Sequence, residues 1–99
     1  MRYSYLIAYD ITEPRRWRRV YRILRGVGDS VQYSIFHAEL SKMERILLLE
    51  RLLPWINEAH DRLLLVNLGV AKENFLDEKK VEWYGREMLS FQEEGPYIV

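Results

Sequence analysis

The most constraining feature of the sequence is the segment from Tyr3 to Asp10, YSYLIAYD, in which six of the eight residues are apolar or aromatic. It contains neither proline nor glycine, and its aromatic and branched side chains favour extended backbone. These properties predict a β-strand buried on both faces, as in the centre of a sheet. Asp10 falls where this strand ends. Its carboxylate either caps the following turn or helix, or meets solvent, a metal ion or a substrate.

The length and composition predict one folded domain. Its 99 residues are near the size at which dimerisation often adds stability, and 48% of them are hydrophobic. Cysteine is absent, which excludes disulfides and thiolate metal sites. Met1 leads straight into the strand, with neither a signal-peptide pattern nor a membrane-spanning apolar run. We therefore expect a cytoplasmic protein that does not associate with membranes.

Charge is unevenly distributed along the chain, although the formal net charge is zero. Residues 1–30 carry seven arginines and three acidic residues, whereas residues 31–99 carry eight basic and twelve acidic residues. This asymmetry predicts a local basic surface formed by the first third of the chain. Arginine is the basic residue that binds phosphate through a planar set of N–H donors.

The segment after the first strand predicts a helix. Thr12 is a cap candidate, Glu13 is an early acidic residue and Pro14 lies in the first turn. The helix should extend to the glycines at positions 26 and 28, where residues 26–30 predict a turn. Its core-facing stripe follows the spacing i, i+3, i+4, i+7 and consists of Trp17, Val20, Tyr21 and Leu24.

The rest of the first 71 residues repeats this alternation of strand and helix. Residues 31–40 predict a strand that is bent or divided into two short ones. Ser41 and Glu44 have capping-box spacing at the start of a second helix, which Pro54 should end or kink. Residues 62–71 are almost continuously apolar and predict another central strand.

Residues 72–99 are more polar and end in a short apolar strand candidate, residues 95–99. We expect residues 1–71 to form the core, and residues 72–99 to form an extension that packs on the partner protomer within a single domain. The order of elements predicts an α+β fold, a ferredoxin-like β-α-β-β-α-β sandwich with two helices on one face. An extra C-terminal strand and a homodimer complete this prediction.

Common catalytic motifs such as GxSxG, the P-loop, GxGxxG and HExxH are absent. What remains is Asp10 beside an arginine-rich helix start, where Arg15, Arg16 and Arg19 should lie nearest to the carboxylate. These arginines form either an ordinary solvated face or a phosphate-binding one. One carboxylate rarely holds Mg²⁺ alone. A two-fold dimer would bring a second Asp10 alongside, and the pair would share one Mg²⁺ that activates water against a phosphodiester.

The segments YLIAYDIT, RRWRRV, VQYSIF and AEL, at this spacing, resemble the small CRISPR-associated endonuclease family, the smaller of the two universal proteins of spacer acquisition. The resemblance is strong over residues 3–40, extends through the second helix and LLLVNLG, and reaches GPYIV. It implies a ferredoxin-like homodimer whose two Asp10 side chains face each other and bind a divalent cation. It also implies metal-dependent cleavage of single-stranded RNA or double-stranded DNA, or a non-catalytic bridge between dimers of the integrase subunit that grips DNA.

The same resemblance assigns roles to individual residues. Asp10 falls on the family's metal aspartate, and Arg16 and Arg19 fall on basic positions of its first helix. Tyr9 and Phe36 match aromatic residues beside the site. The closing GPYIV resembles a last strand that crosses to the other protomer and helps to contact the integrase.

One departure concerns Ser30, because many relatives have arginine directly before the VQYS-type segment.

The sequence leaves three functional hypotheses. The first is a metal-dependent endonuclease using paired Asp10, and the second is a purely non-catalytic DNA-binding scaffold. The third is a small-ligand or RNA-binding module on the same fold, unrelated to CRISPR, and a toxin-like ribonuclease outside CRISPR is a related possibility. His37, a lone histidine in a strand, is expected to be a packed or surface residue.

Overall fold

The computed structural model describes residues 1–71 together with residues 82, 84 and 85. Within these residues the order of elements is the predicted β-α-β-β-α-β, and the predicted strand over residues 31–40 is divided into two. The elements are β1 Tyr3–Asp10, α1 Pro14–Arg25, β2 Asp29–Gln32, β3 Ile35–Leu40, α2 Lys42–Leu52, a short 3₁₀ turn Leu53–Trp55, and β4 Arg62–Val70.

The strands form one antiparallel sheet in the order β2-β3-β1-β4. β1 lies between β3 and β4, so the prediction that Tyr3–Asp10 is a central strand is confirmed. This strand order, with two helices between the strands, confirms the predicted ferredoxin-like α+β fold. β4 was expected to be central as well, and that prediction is wrong for the described residues, in which β4 lies at the sheet edge.

Local hydrogen bonds explain where the helices start and stop. The side chain of Glu13 caps α1 by accepting a hydrogen bond from the backbone N–H of Arg16 at 2.8 Å, whereas Thr12 bonds elsewhere. The predicted capping box of α2 is present, since Ser41 and Glu44 each accept a hydrogen bond from the other's backbone N–H. Pro54 lies in the 3₁₀ turn that ends α2, as predicted.

The core lies between the sheet and the two helices. Alternate residues of β1, namely Tyr5, Ile7 and Tyr9, point to the helix side, because successive side chains of a strand face opposite ways. Burial of each large apolar side chain contributes roughly 1.5–3 kcal/mol. The largest completely buried side chains come from the sheet and from both helices: Phe36, Ile7, Leu24, Leu52 and Val20.

The opposite side of the sheet is called here the helix-free face. Within the described residues no helix packs against it, and its cross-strand rows are mostly apolar. Leu6 of β1 lies between His37 and Val66, and the next row places Ala8 between Ile35 and Leu64. Leu64 is 53% exposed and Val66 is 38% exposed. The face includes Ser4, Leu6, Ala8, Asp10, Ile35, His37, Arg62, Leu64 and Val66.

The exposed apolar residues of β4 explain why this strand resembled a central one in the sequence. A run of leucines and valines indicates that both faces of a strand contact apolar groups. It does not indicate whether the strand has hydrogen-bonded neighbours on both sides or on one side only. The predicted extension over residues 72–99, with its C-terminal strand, lies almost entirely outside the described residues. In the part of the chain that is described, no helix has the length and apolar character needed to cross a membrane.

Candidate metal and nucleic-acid site

Asp10 is the last residue of β1 and its side chain is exposed on the helix-free face. It is the only acidic residue of that strand, and it directly faces Arg62 of β4 in the strand register. Within the described residues its carboxylate takes part in no ion pair or side-chain hydrogen bond. The carboxylate therefore caps neither the following turn nor α1 among the described residues, and its role toward a cation or a substrate stays a prediction.

A second carboxylate, that of Asp61, fixes the backbone beside Asp10. Its oxygens accept hydrogen bonds from the backbone N–H and the hydroxyl of Thr12, at 3.0 and 3.3 Å. They also accept from Arg16 Nε and Nη2, at 3.0 and 3.2 Å, and from the backbone N–H of Asn57 at 2.8 Å. The Asp61 side chain is 0% exposed. Asp61 therefore ties the chain just after β1 to the chain just before β4.

These contacts stabilise the ionised form of Asp61. The side-chain hydrogen bonds from Arg16 hold the pKa of Asp61 far below its ordinary value, and the backbone N–H groups of Asn57 and Thr12 lower it further. The same pairing raises the pKa of Arg16. Asp61 is thus a permanently charged anchor at neutral pH, satisfied by its neighbours and with no free oxygen directed to solvent.

The three predicted phosphate-binding arginines have different surroundings. Arg15 is exposed in the first turn of α1. Arg16 is half-buried against Asp61, with Nη1 also 3.8 Å from the carboxylate of Glu13. Arg19 is exposed, and its guanidinium carbon lies 5.0 Å from the centre of the Trp55 ring, a cation–π contact. Arg15 and Arg19 therefore present charge to solvent, while Arg16 is held by an internal ion pair.

The two predicted site-supporting aromatics lie on the other side of the sheet from Asp10. Tyr9 and Phe36 are buried, with ring centres 6.3 Å apart. Tyr9 also packs on Trp17 at 6.2 Å, and Tyr21 meets Phe36 edge to face at 5.7 Å. Such aromatic pairs contribute about 0.5–1.5 kcal/mol beyond their burial. This cluster packs α1 against the end of β1 on the helix side of the sheet, opposite Asp10. Any support for the site therefore reaches Asp10 through the backbone.

Ser30 and His37 complete the residues discussed from the sequence. Ser30 lies in β2 and its hydroxyl donates a hydrogen bond to the Gln32 carbonyl at 3.3 Å. His37 is buried, and this burial lowers its pKa, with the carboxylates of Glu39 and Asp29 acting in the opposite direction. The expectation of a packed or surface histidine is therefore met by a packed one.

The residues at this site fit a hard cation only in part. Within the described residues there is no group of three or more His, Asp or Glu side chains that could hold a metal ion. Asp10 supplies one carboxylate, whereas Mg²⁺ takes about six oxygen ligands, of which water supplies several. A second copy of this chain would bring a second Asp10 carboxylate to the site.

Sequence reasoning missed Asp61 and Arg62. His60 and Asp61 were interpreted only as a loop, because an acidic residue before a strand is common. The link from Asp61 to Arg16 spans 45 positions, and the pairing of Arg62 with Asp10 depends on the register of β4. Neither relation leaves a local pattern, so only the folded chain reveals them.

The fold and the exposed strand-end carboxylate define a small ferredoxin-like protein with a candidate site at one end of its central strand. The family model described as CRISPR associated protein Cas2 matches residues 1–74. The chain belongs to this family. This membership favours a CRISPR-related role over that of an unrelated toxin-like ribonuclease.

Individual relatives agree with this assignment. A protein of Rhodospirillum rubrum named CRISPR-associated endoribonuclease Cas2 1 is 37% identical over 71 residues, which are 72% of this chain and 70% of that protein. CRISPR-associated endoribonuclease Cas2 of Geobacter sulfurreducens is 33% identical over 73% of this chain and 76% of its own length. The crystal structure of Streptococcus pyogenes Cas2 at pH 6.5 is 25% identical, with a TM-score of 0.68, over 83% of this chain and 99% of that one.

Proposed function

We propose that this protein is a homodimeric, Mg²⁺-dependent endonuclease that acts in the cytoplasm during CRISPR spacer acquisition, together with the integrase subunit. The observation that carries the proposal is the Asp10 carboxylate, exposed and unpaired among the described residues at the end of the central strand. The names of the curated relatives support a nuclease, and they make single-stranded RNA the first substrate to test. Double-stranded DNA is the second.

The helix-free face supports the proposed homodimer. Leu64 and Val66 are exposed there beside the half-buried Leu6 and Ile35, which is a large apolar surface for a small protein. Because Asp10 lies on the same face, two copies that pack face to face around a two-fold axis bring both carboxylates to one place. Dimerisation and the two-carboxylate site are thus one geometrical hypothesis.

Each residue has a distinct task in this proposal. The two Asp10 side chains would hold the Mg²⁺, which, when bound, supplies positive charge and a water of lowered pKa. Arg15 and Arg19 bind the phosphates that flank the scissile one, because their guanidinium groups face solvent. Arg16 contributes less binding, since Asp61 occupies two of its nitrogens, and it keeps the start of α1 in position.

The test is cleavage of labelled single-stranded RNA and of duplex DNA by the wild type and by Asp10→Ala. We expect Asp10→Ala to lower the rate roughly a hundredfold or more, the scale on which loss of one charge-stabilising group lowers kcat. The matched control is Glu50→Ala, which removes an exposed carboxylate from α2 and should leave the rate unchanged. Absence of Mg²⁺-dependent cleavage by the wild type on both substrates would refute the endonuclease.

The second candidate is a scaffold that binds DNA without cutting it and bridges integrase dimers. It is favoured by the exposed arginines of α1. We expect Arg15→Gln combined with Arg19→Gln to flatten the dependence of duplex binding on salt, by about 0.9 in log–log slope for each phosphate that is no longer neutralised. The control is Arg51→Gln, on the exposed side of α2. An unchanged slope in the double variant removes these arginines from the DNA interface.

A further inference from the structure

Arg62 is the first residue of β4 and lies directly opposite Asp10 in the antiparallel register. Side chains at directly opposed positions extend from the same face of the sheet, with Cβ atoms roughly 4.5–5.5 Å apart. Both residues are exposed. The strand register therefore places the Arg62 side chain next to that of Asp10 at the same end of the helix-free face, without an ion pair between them.

Two other arginines among the described residues, Arg2 and Arg16, are paired with acidic side chains, and Arg62 is not. Arg2 pairs with Glu44 at 2.7 Å and Arg16 pairs with Asp61 at 3.0 Å. Within the described residues Arg62 takes part in no ion pair or side-chain hydrogen bond, although an exposed carboxylate is its cross-strand neighbour. Its N–H donors are thus available to a third group that approaches the same place.

The position of Arg62 is fixed by the residue before it. The Asp61 carboxylate holds Thr12, two residues after Asp10, and the backbone N–H of Asn57. The last residue of β1 and the first residue of β4 are therefore joined both by sheet pairing and by this buried anchor. A guanidinium on such a fixed backbone segment contributes more to charge stabilisation than one on a mobile loop, because little reorganisation is needed when it binds a developing charge.

We infer that Arg62 is a catalytic residue of the proposed nuclease and binds the non-bridging oxygens of the scissile phosphate. This inference rests on the proposed function. A phosphodiester brought close to Asp10 is repelled by the carboxylate, and an adjacent guanidinium offsets that repulsion with two parallel N–H···O hydrogen bonds. Its contribution grows as negative charge accumulates on the phosphate in the transition state.

In the proposed hydrolysis, one bond to phosphorus forms and a different one breaks. The oxygen of a water molecule forms a new bond to phosphorus, one ester P–O bond breaks, and the proton released by the water ends on the leaving oxygen. Arg62 keeps all of its protons throughout, so its part is purely electrostatic. The arrangement predicts a large effect on kcat and a small one on KM, because the interaction strengthens between ground state and transition state.

The experiment compares the wild type, Arg62→Gln, Arg62→Lys and Asp10→Ala, with Arg51→Gln as control, on a short labelled single-stranded RNA with Mg²⁺. We expect Arg62→Gln to lower kcat about a hundredfold with a change in KM below about threefold. Arg62→Lys, which keeps the charge without the planar fork, should fall between Gln and wild type. Rates for Arg62→Gln within about twofold of wild type would overturn the inference. If Arg62→Gln lowers Tm, the kcat of Arg62→Lys is compared with that of the wild type instead.

A second measurement separates this inference from the proposed function. Binding of the same RNA, measured in EDTA at several salt concentrations, should lose about 0.7 from its log–log salt slope in Arg62→Gln and none in Arg51→Gln. If neither wild type nor Asp10→Ala cleaves, or both cleave equally, the proposed nuclease fails and the slope alone decides whether Arg62 binds phosphate. If the wild type cleaves, Asp10→Ala does not, and Arg62→Gln matches wild type, only the inference fails.

Discussion

At the scale of single residues, Gly28 marks the tightest approach of the turn after α1 to the sheet. A Cβ atom at this position would lie 2.4 Å from the carbonyl oxygen of His37 and 3.0 Å from the Cβ of Ala38. The backbone of β3 cannot move away easily, because β1 and β2 pair with it on both sides. We expect Gly28→Ala to lower the free energy of unfolding by about 1–3 kcal/mol, the usual effect of overpacking, in urea titrations at pH 7.

Gly26 provides the matched control for this prediction. A Cβ atom there would lie 3.4 Å from the Ile23 carbonyl oxygen, and the residue has ordinary helical φ and ψ angles. Gly26→Ala should therefore change the stability by less than about 1 kcal/mol, with stabilisation as the expected sign, because alanine restricts the unfolded chain. Equal losses for the two substitutions would mean that the contact with His37 is not the cause.

Single residues also show how far the sequence can predict the site. Asp10 was found because an apolar strand ends in one carboxylate, which is a local pattern. Arg16 lies near the start of α1, as predicted, but its pairing with Asp61 depends on a contact between distant parts of the chain. The chemical type of a residue is visible in the sequence, whereas its partner is decided by tertiary packing.

At the scale of secondary-structure elements, Asp61 joins the β1–α1 connection to the connection between α2 and β4. We expect Asp61→Asn to lower Tm by on the order of 5 °C at pH 7, because an amide cannot accept all the hydrogen bonds from Arg16, Thr12 and Asn57. The matched control is Glu58→Gln, an exposed residue of the same connection, which should leave Tm nearly unchanged.

The stabilisation by Asp61 has a defined pH dependence. The pKa of Asp61 is lowered in the fold, chiefly by Arg16, so its charged form stabilises the protein fully above the ordinary value of 3.8. As the pH falls below that value, the unfolded chain takes up the proton first and the stabilisation is progressively lost. The difference in Tm between wild type and Asp61→Asn should therefore be constant from pH 7 to about 5 and shrink below about 4. A constant difference down to pH 2.5 would contradict this origin.

The elements themselves were largely predictable, with one instructive exception. Both helices were located from prolines and apolar spacing, and the capping box of α2 was predicted correctly, whereas the N-cap of α1 is Glu13 and not the candidate Thr12. β4 was assigned to the centre of the sheet because residues 62–71 are almost continuously apolar, yet it lies at the edge within the described residues. An apolar composition indicates that the side chains of a strand are kept away from water. It does not indicate whether the surface that covers them belongs to the same chain or to another one.

At the scale of the whole molecule, one geometrical hypothesis links assembly to chemistry. The apolar surface of the helix-free face and the exposed Asp10 lie on the same side of the sheet. Contact between two such faces buries Leu64 and Val66, and it also completes the proposed pair of carboxylates. Loss of the dimer should therefore abolish the metal-dependent reaction even when Asp10 is intact.

The prediction is tested with Leu64→Glu, which places a charge in the proposed contact without touching Asp10. We expect its dimer dissociation constant, from analytical ultracentrifugation, to rise at least about tenfold, the effect of 1.4 kcal/mol. Its Mg²⁺-dependent cleavage, measured at a protein concentration where it is monomeric, should fall to the level of Asp10→Ala.

The control is Leu47→Glu, which adds the same charge at a residue of α2 that is 50% exposed, in the helix layer on the other side of the sheet. It should remain dimeric and active, and Asp10→Ala should remain dimeric but inactive. A Leu64→Glu monomer that cleaves as fast as the wild-type dimer would show that one carboxylate suffices. If the wild type is monomeric at all concentrations, each Asp10 lacks the second Asp10 of the proposed pair. This result alone would exclude the shared metal site.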